Sequence, residues 1–377
     1  SGNNIKLTID IDLQKYASSL LKDKSGSIVT IDVNTGEIII LESSPDFDPN
    51  LFTKSISQEE WNELVNNPMS PLVNKSISGE YSPGSTFKLI VLYSALVNKI
   101  IKPNSVIHCS SNIEYGGRNF YCWCHKKKTG CWATQSHTRN VGPELAIAQS
   151  CDGFFYELAK RIGIAKIVET AMNFGLGSKS GLNLKGEKGG LVPNKLWKKK
   201  TYKQSWKIGE TMITGVGQGF LTTTPIQLAV MTAMIANNGK RIFPSIYKNI
   251  DQGNINDNQV FTTQTLYQKK FFSLIKSGMF SAVNKPFGTA YGSRTTQPVF
   301  AGKTGTVQVR TISKEERELG IIPNKELPIK QRDHALFVGF APYKNPKIAL
   351  AVVVEHGGSG SKVAAPIAKK IFKKALP

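Results

Sequence analysis

No stretch of this sequence runs to eighteen apolar residues without interruption, so it holds neither a transmembrane helix nor the apolar stretch of a secretory signal. Internal repeats and low-complexity segments are also missing. With 40% hydrophobic and 20% charged residues over 377 positions, disorder, collagen and coiled coil are excluded, and the chain is long enough to bury a substantial core without metals or disulfides. Acidic residues are scarce beside basic ones, 27 against 48, which leaves a net charge of +21. That balance admits nucleic acid, an anionic membrane surface or an acidic polymer as partner. Nucleic acid is disfavoured, because no RNP, zinc-finger or homeodomain pattern accompanies the charge. The densest basic run, Lys198-Lys199-Lys200 with Lys203 and Lys207, reads as a solvated loop rather than a dedicated patch. Cysteine is sparse too: five residues, Cys109, Cys122, Cys124, Cys131 and Cys151, all in one segment. An odd number leaves at least one thiol unpaired, so metal ligation or a mixture fits better than a pure disulfide framework.

The hydropathy pattern sets out an order of elements. Apolar residues on one face predict an amphipathic helix over 12–23, and two strands at 27–33 and 37–41 flank the turn Asn34-Thr35-Gly36. Near the other end, 335–340 and 348–354 read as strands, followed by a basic helix over 363–374. Between them, spacings of three and four predict helices over 86–98, 143–162, 164–174 and 224–237. Residues 110–140, 186–206, 251–258 and 311–332 read as long loops. An α+β fold follows, with its sheet built from both chain ends and a helical insertion between.

Three short motifs carry chemistry. Ser85 and Lys88, in Tyr81-Ser82-Pro83-Gly84-Ser85-Thr86-Phe87-Lys88, follow a Pro-Gly turn at a helix start and share one face. A serine hydroxyl needs a base to become a nucleophile, and a neutral lysine one turn away is a workable one. Ser-x-x-Lys recurs at Ser19, Ser245, Ser273 and Ser359, but only Ser85 has this context. Ser150-Cys151-Asp152 could set a hydroxyl and a carboxylate opposite it; alternatively the Ser150 hydroxyl is satisfied by the preceding helical turn. Lys303-Thr304-Gly305-Thr306, in the alternating stretch 303–309, reads as a strand whose Gly305 leaves room for a ligand backbone along the edge. A second Lys-Thr-Gly at Lys128 reads as a loop.

Ser-x-x-Lys, Ser-x-Asp and Lys-Thr-Gly in this order are the signature of penicillin-binding proteins and class A β-lactamases. With Leu7-Thr8-Ile9-Asp10, Ser44-Pro45-Asp46-Phe47-Asp48-Pro49-Asn50, Gly217-Gln218-Gly219, Thr224-Pro225-Ile226-Gln227 and Gly357-Gly358-Ser359, the whole chain resembles the class B penicillin-binding proteins, most of all the elongation-type penicillin-binding protein 2 group. The resemblance implies one transpeptidase domain over 1–377, with a serine β-lactamase-like fold: a five-stranded antiparallel sheet flanked by helices, beside an all-helical lobe. It implies a membrane anchor and an N-terminal pedestal outside this sequence, and a place on the periplasmic face of a bacterial inner membrane. It implies that Ser85 attacks the penultimate D-Ala carbonyl of a peptidoglycan stem peptide. Lys88 is then the base, Ser150 the proton relay, Asp152 its neighbour, and Lys303 the source of positive field. Thr304 and Thr306 meet the substrate carboxylate, Gly305 lies between them, and the N–H groups of Ser85 and Thr306 form the oxyanion hole. β-Lactams would acylate Ser85, and a membrane glycosyltransferase of the elongation complex would be a partner. A D,D-carboxypeptidase or β-lactamase, which sends water to the acyl-enzyme, and a β-lactam sensor are the rival readings.

Some proteins of this resemblance carry zinc beside the site, and matching their segment gives Cys109, Cys122, His137 and Cys151 as ligands, a Cys3His set. The added Cys124, Cys131 and His125 leave alternatives open: a disulfide, with Cys124 and Cys131 as the pair, or plain buried thiols.

Overall fold

The computed structural model describes residues 4–53, 55–110, 112–123, 140–248, 269–313, 316 and 321–377. In chain order these form α1 (Ile11–Leu21), β1 (Gly26–Asp32), β2 (Ile38–Ser44), α2 (Gln58–Asn66), α3 (Lys75–Ser78), α4 (Lys88–Val97) and the short strands β3 (Ile107–His108), β4 (Asn112–Tyr115), β5 (Arg118–Tyr121) and β6 (Asn140–Val141). There follow α5 (Pro143–Ala148), α6 (Asp152–Ile162), α7 (Ile164–Asn173), α8 (Lys195–Tyr202), α9 (Ile208–Gly215), α10 (Pro225–Ala236), α11 (Lys269–Asn284), β7 (Ala301–Val307), β8 (His334–Ala341), β9 (Ile348–Val354) and α12 (Ala365–Ala375).

Five strands make one antiparallel sheet in the order β2-β1-β9-β8-β7. The two chain ends meet at its centre, where β1 pairs with β9 from Gly26 opposite Val354 to Asp32 opposite Ile348. Both strands are almost wholly buried, as expected of strands covered on both faces. Alternation sends Ile28, Leu350 and Val352 to one face, where α1 and α12 cover them with Leu13, Ala17, Ile371 and Phe372. Val29, Ala351 and Val353 go to the other face, into a larger core with α4, α10 and α11. Every residue of α10 is buried, so it is apolar all round, and a Thr224/Gln227 capping box satisfies its first turn. Removing a ring such as Phe372, fully buried between α12 and the sheet, would cost about 3–5 kcal/mol.

The α+β architecture and the sheet from both ends match the expectation. Four local expectations do not. Within the expected loop at 110–140 the described residues form the antiparallel hairpin β4–β5. The single helix over 143–162 is two, α5 and α6, because Ser150 adopts a left-handed φ of 55° between them. The third motif's strand spans Ala301–Val307 instead of 303–309. Within the expected loop at 186–206 lies α8, N-capped by Asn194, whose side chain accepts the Trp197 N–H. The expected loop at 251–258 lies outside the described residues, as does Lys128 with its second Lys-Thr-Gly.

Candidate active site

Ser85 stands in a single 3-10 turn, Gly84–Phe87, that runs directly into α4. Gly84 anchors the turn from outside by donating its N–H to the Gly217 carbonyl at 2.8 Å, and Thr86 Oγ1 braces it from within by donating to the Pro83 carbonyl at 2.7 Å. Gly217 has to be glycine, since a Cβ there would sit 1.9 Å from the Gly84 carbonyl oxygen. Upstream, Tyr81 exchanges backbone hydrogen bonds with Thr223, and its phenol donates to Glu355 Oε1 at 2.7 Å. The Ser85 turn is thereby tied to the end of β9.

Lys88, fully buried, points from the first turn of α4 into the break between α5 and α6. Its Nζ donates to the Ser150 carbonyl at 2.9 Å, to Ser150 Oγ at 3.1 Å and to Asp152 Oδ1 at 2.6 Å. The left-handed kink makes this possible, because it turns both the carbonyl and the hydroxyl of Ser150 toward one ammonium. The alternative in which the Ser150 hydroxyl bonds back to its own helix does not hold. Burial pushes the Asp152 carboxyl up, while Lys88 pulls it down.

Lys303 is also fully buried, and its Nζ donates to the Thr304 carbonyl at 3.0 Å. Burial first and then the Lys88 charge push its ammonium well below the ordinary lysine range, while Asp152 acts in the opposite sense. Two buried lysines share one carboxylate here, so only one positive charge is compensated. The strain of the second charge falls on Lys303.

β7, which carries the third motif, is the sheet's edge strand, so its outer edge is unpaired within the sheet. Gly305 has a different use from the expected one: a Cβ would lie 3.0 Å from Leu336 Cβ, 3.2 Å from the Pro83 carbonyl oxygen and 3.3 Å from Thr86 Cγ2. Its missing side chain seats the Ser85 turn itself against the strand. Thr304 is nearly buried and its hydroxyl pairs with Thr289 Oγ1 at 3.0 Å. Thr306 is exposed, and its Oγ1 accepts the Gly360 N–H at 3.3 Å.

The structure brings Cys109, Cys122 and Cys151 together, all buried and all thiols, with sulfurs within 4.8 Å of one another. Cys151 also caps α6, its sulfur accepting the Phe154 N–H at 3.3 Å. His137, Cys124, Cys131 and His125 lie outside the described residues. Sequence reasoning missed Trp123, which follows a candidate ligand: its backbone N–H donates to Asp152 Oδ2 at 2.9 Å and its indole N–H to the Gln149 carbonyl at 3.1 Å. The cysteine cluster and the Asp152 carboxylate are thus one connected unit. Tyr81 and Glu355 were missed as well, since nothing in sequence joins residues 274 positions apart.

The "Penicillin binding protein transpeptidase domain" family matches residues 26–373. The chain is 35% identical to the peptidoglycan D,D-transpeptidase MrdA of Salmonella typhimurium, over 99% of its own length and 59% of that protein's. It is 37% identical to penicillin-binding protein 2 of Pseudomonas aeruginosa, seen in complex with WCK 5153, at a TM-score of 0.85 over 99% of this chain and 75% of the other. Penicillin-binding protein 2 of Helicobacter pylori, solved with MreC, is 35% identical at a TM-score of 0.85, covering 98% and 63%. Likeness of this extent, on a fold that brings the three motifs together, means that the chain belongs to the penicillin-binding protein transpeptidase family, with penicillin-binding protein 2 among its relatives.

Proposed function

We propose that this domain is a serine D,D-transpeptidase of cell-wall elongation, which cross-links peptidoglycan stem peptides and is inhibited by β-lactams. The observation that carries the reading is the convergence on Lys88, where three oxygens of the second motif surround the amine that stands three residues after Ser85. Lys88 is the base: acting from its deprotonated form, it takes the Ser85 proton as Ser85 Oγ bonds to the penultimate D-Ala carbonyl carbon. The ammonium so formed stands beside the Asp152 carboxylate, which favours the transfer. The C–N bond to the terminal D-Ala breaks, and its nitrogen receives a proton through Ser150. An amine of a neighbouring strand then attacks the ester carbonyl, the new C–N bond forms, and the Ser85 hydroxyl is regained. The N–H groups of Ser85 and Thr306 hold the oxyanion, each for about 3 kcal/mol. Thr306, exposed on the edge strand, and Thr304 meet the substrate carboxylate, with Lys303 supplying field from beneath.

Zinc fits the cysteine cluster by donor chemistry: three buried sulfurs close enough to share one ion, in a protein without a competing disulfide among them. Cys109, Cys122 and Cys151 would hold it, with His137 as the expected fourth ligand. Such an ion would supply structural strength, fastening the segment around β3–β5 to the start of α6. The kinship supports a place in the bacterial envelope, at the periplasmic face of the inner membrane. The Helicobacter relative's complex supports MreC as a partner, beside the expected glycosyltransferase of the elongation complex. No helix among the described residues is long and apolar enough to cross a membrane.

The test is turnover. Glycan strands with pentapeptide stems, offered with a D-amino acid as acceptor, should give the exchanged peptide with the native chain and none with Ser85→Ala. Release of D-Ala to water alone would assign a carboxypeptidase instead.

A further inference from the structure

We propose that the exposed face of α8 is a docking surface for the substrate's glycan strand and the acidic stem peptides it bears. This deepens the transpeptidase reading and rests on it. The basic run that reads as a solvated loop is a built helix. Lys198, nearly buried, forms an ion pair with Glu210, and Glu210 also accepts the Lys207 N–H at 2.7 Å, so the one acid at this place is consumed. Trp197, Tyr202 and Phe220 pack ring to ring with centroids 5.1–5.6 Å apart and hold the helix down. Lys203 ends it in a left-handed turn, φ 55°.

The outward side carries an unusual pairing of chemistries. Leu196 is 79% exposed and Tyr202 47% exposed, beside Lys199, Lys200 and Lys203. Leu196 and the three lysines line a depression of about 410 Å³. Among the described residues, the ammonium groups of Lys195, Lys199, Lys200, Lys203 and Lys207 form no ion pair. The exposed Leu196 and the exposed part of the Tyr202 ring suit the apolar C–H groups of sugar rings, and uncompensated ammonium groups suit peptide carboxylates. A membrane is a poorer fit, since an interfacial helix needs a broad apolar face and α8 offers little beyond Leu196. Position argues the same way. Leu191, just before α8, pairs with Thr222, and the adjoining Thr223 pairs with Tyr81, four residues before Ser85. Gly217 in the same segment binds the nucleophile turn directly.

The experiment is co-sedimentation of the chain with purified peptidoglycan sacculi, against vesicles containing phosphatidylglycerol and a single-stranded oligonucleotide. Native chain should sediment with sacculi, less so as salt rises, and Lys199→Glu/Lys200→Glu/Lys203→Glu should lose about tenfold in binding. The milder Lys→Gln triple variant should lose less, and Tyr202→Ala should weaken the part that survives high salt. Benzylpenicillin, which has no glycan, should acylate all of these variants as it does the native chain. Failure of that acylation in the native chain would count against the transpeptidase reading. Intact acylation with sacculus binding absent, or unchanged in both triple variants, overturns the docking surface alone. Binding transferred to vesicles or to the oligonucleotide overturns it in favour of that anion.

Discussion

Lys88 Nζ lies 2.6 Å from Asp152 Oδ1, a fully buried amine against a mostly buried carboxylate whose other oxygen takes the Trp123 N–H at 2.9 Å. One contact therefore joins the nucleophile helix, the Ser-x-Asp motif and the cysteine segment. Asp152→Ala leaves the lysine uncompensated and should cost about 3–5 kcal/mol in stability. Asp152→Asn removes the charge and, with one amide oxygen in place of two carboxylate oxygens, can accept from Lys88 or from the Trp123 N–H but not from both, so it should lose about 1–3 kcal/mol in stability and acylate slower by on the order of tenfold. Denaturation curves together with β-lactam acylation rates check both; equal acylation in Asp152→Asn and the native chain would show that the charge does not assist proton transfer.

The tie between Tyr81 and Glu355 gives a second expectation. Tyr81→Phe removes one hydrogen bond to a carboxylate that keeps its Ser25 partner, at a cost of about 2 kcal/mol. Because Tyr81 lies four residues before Ser85, acylation should slow several-fold while the midpoint shifts only modestly. A stability loss with an unchanged acylation rate would make the tie merely structural.

Two buried groups impose opposite pH dependences. Glu42 is raised to about 7, by burial first and then by Asp46. The folded state binds its proton more tightly, so its contribution is complete below the ordinary 4.5 and is lost as pH rises to about 7. His334 is lowered to about 4, by burial first and then by His356. Its contribution is complete above 6.5 and is lost as pH falls to about 4, amounting to at most ~3 kcal/mol. Relative to the native chain, Glu42→Gln should therefore gain stability as pH rises from 4.5 to 7. His334→Asn, whose amide oxygen can still accept the His356 N–H, should gain as pH falls from 6.5 to 4. Thermal midpoints across that range check the signs.

Protein prepared without chelator should contain about one zinc per chain by elemental analysis, and Cys122→Ser should lose it. Metal-free native protein would leave the three sulfurs as plain buried thiols.

Much of this was legible in the sequence because it is local. The Pro-Gly turn marks Ser85, alternation marks β1 and β9, and Thr224-Pro225 with Gln227 marks the start of α10. The break at Ser150 was not legible, since the apolar spacing of α5 resumes in α6 and conceals a single left-handed residue. Gly305 looked like space for a ligand, but the space belongs to Pro83 and Thr86, whose approach is a tertiary fact. The run at Lys198–Lys200 looked like a loop because lysines at every position hide periodicity; the Asn194 cap and the Lys198–Glu210 pair decide for a helix.

The central claim is that Ser85 is the nucleophile of a slowly deacylating acyltransferase, and intact mass after incubation with benzylpenicillin tests it most directly. The native chain should gain the mass of one whole penicillin and keep it, and Ser85→Ala should gain nothing. An adduct that persists in Ser85→Ala, or one that hydrolyses rapidly in the native chain, would contradict the account.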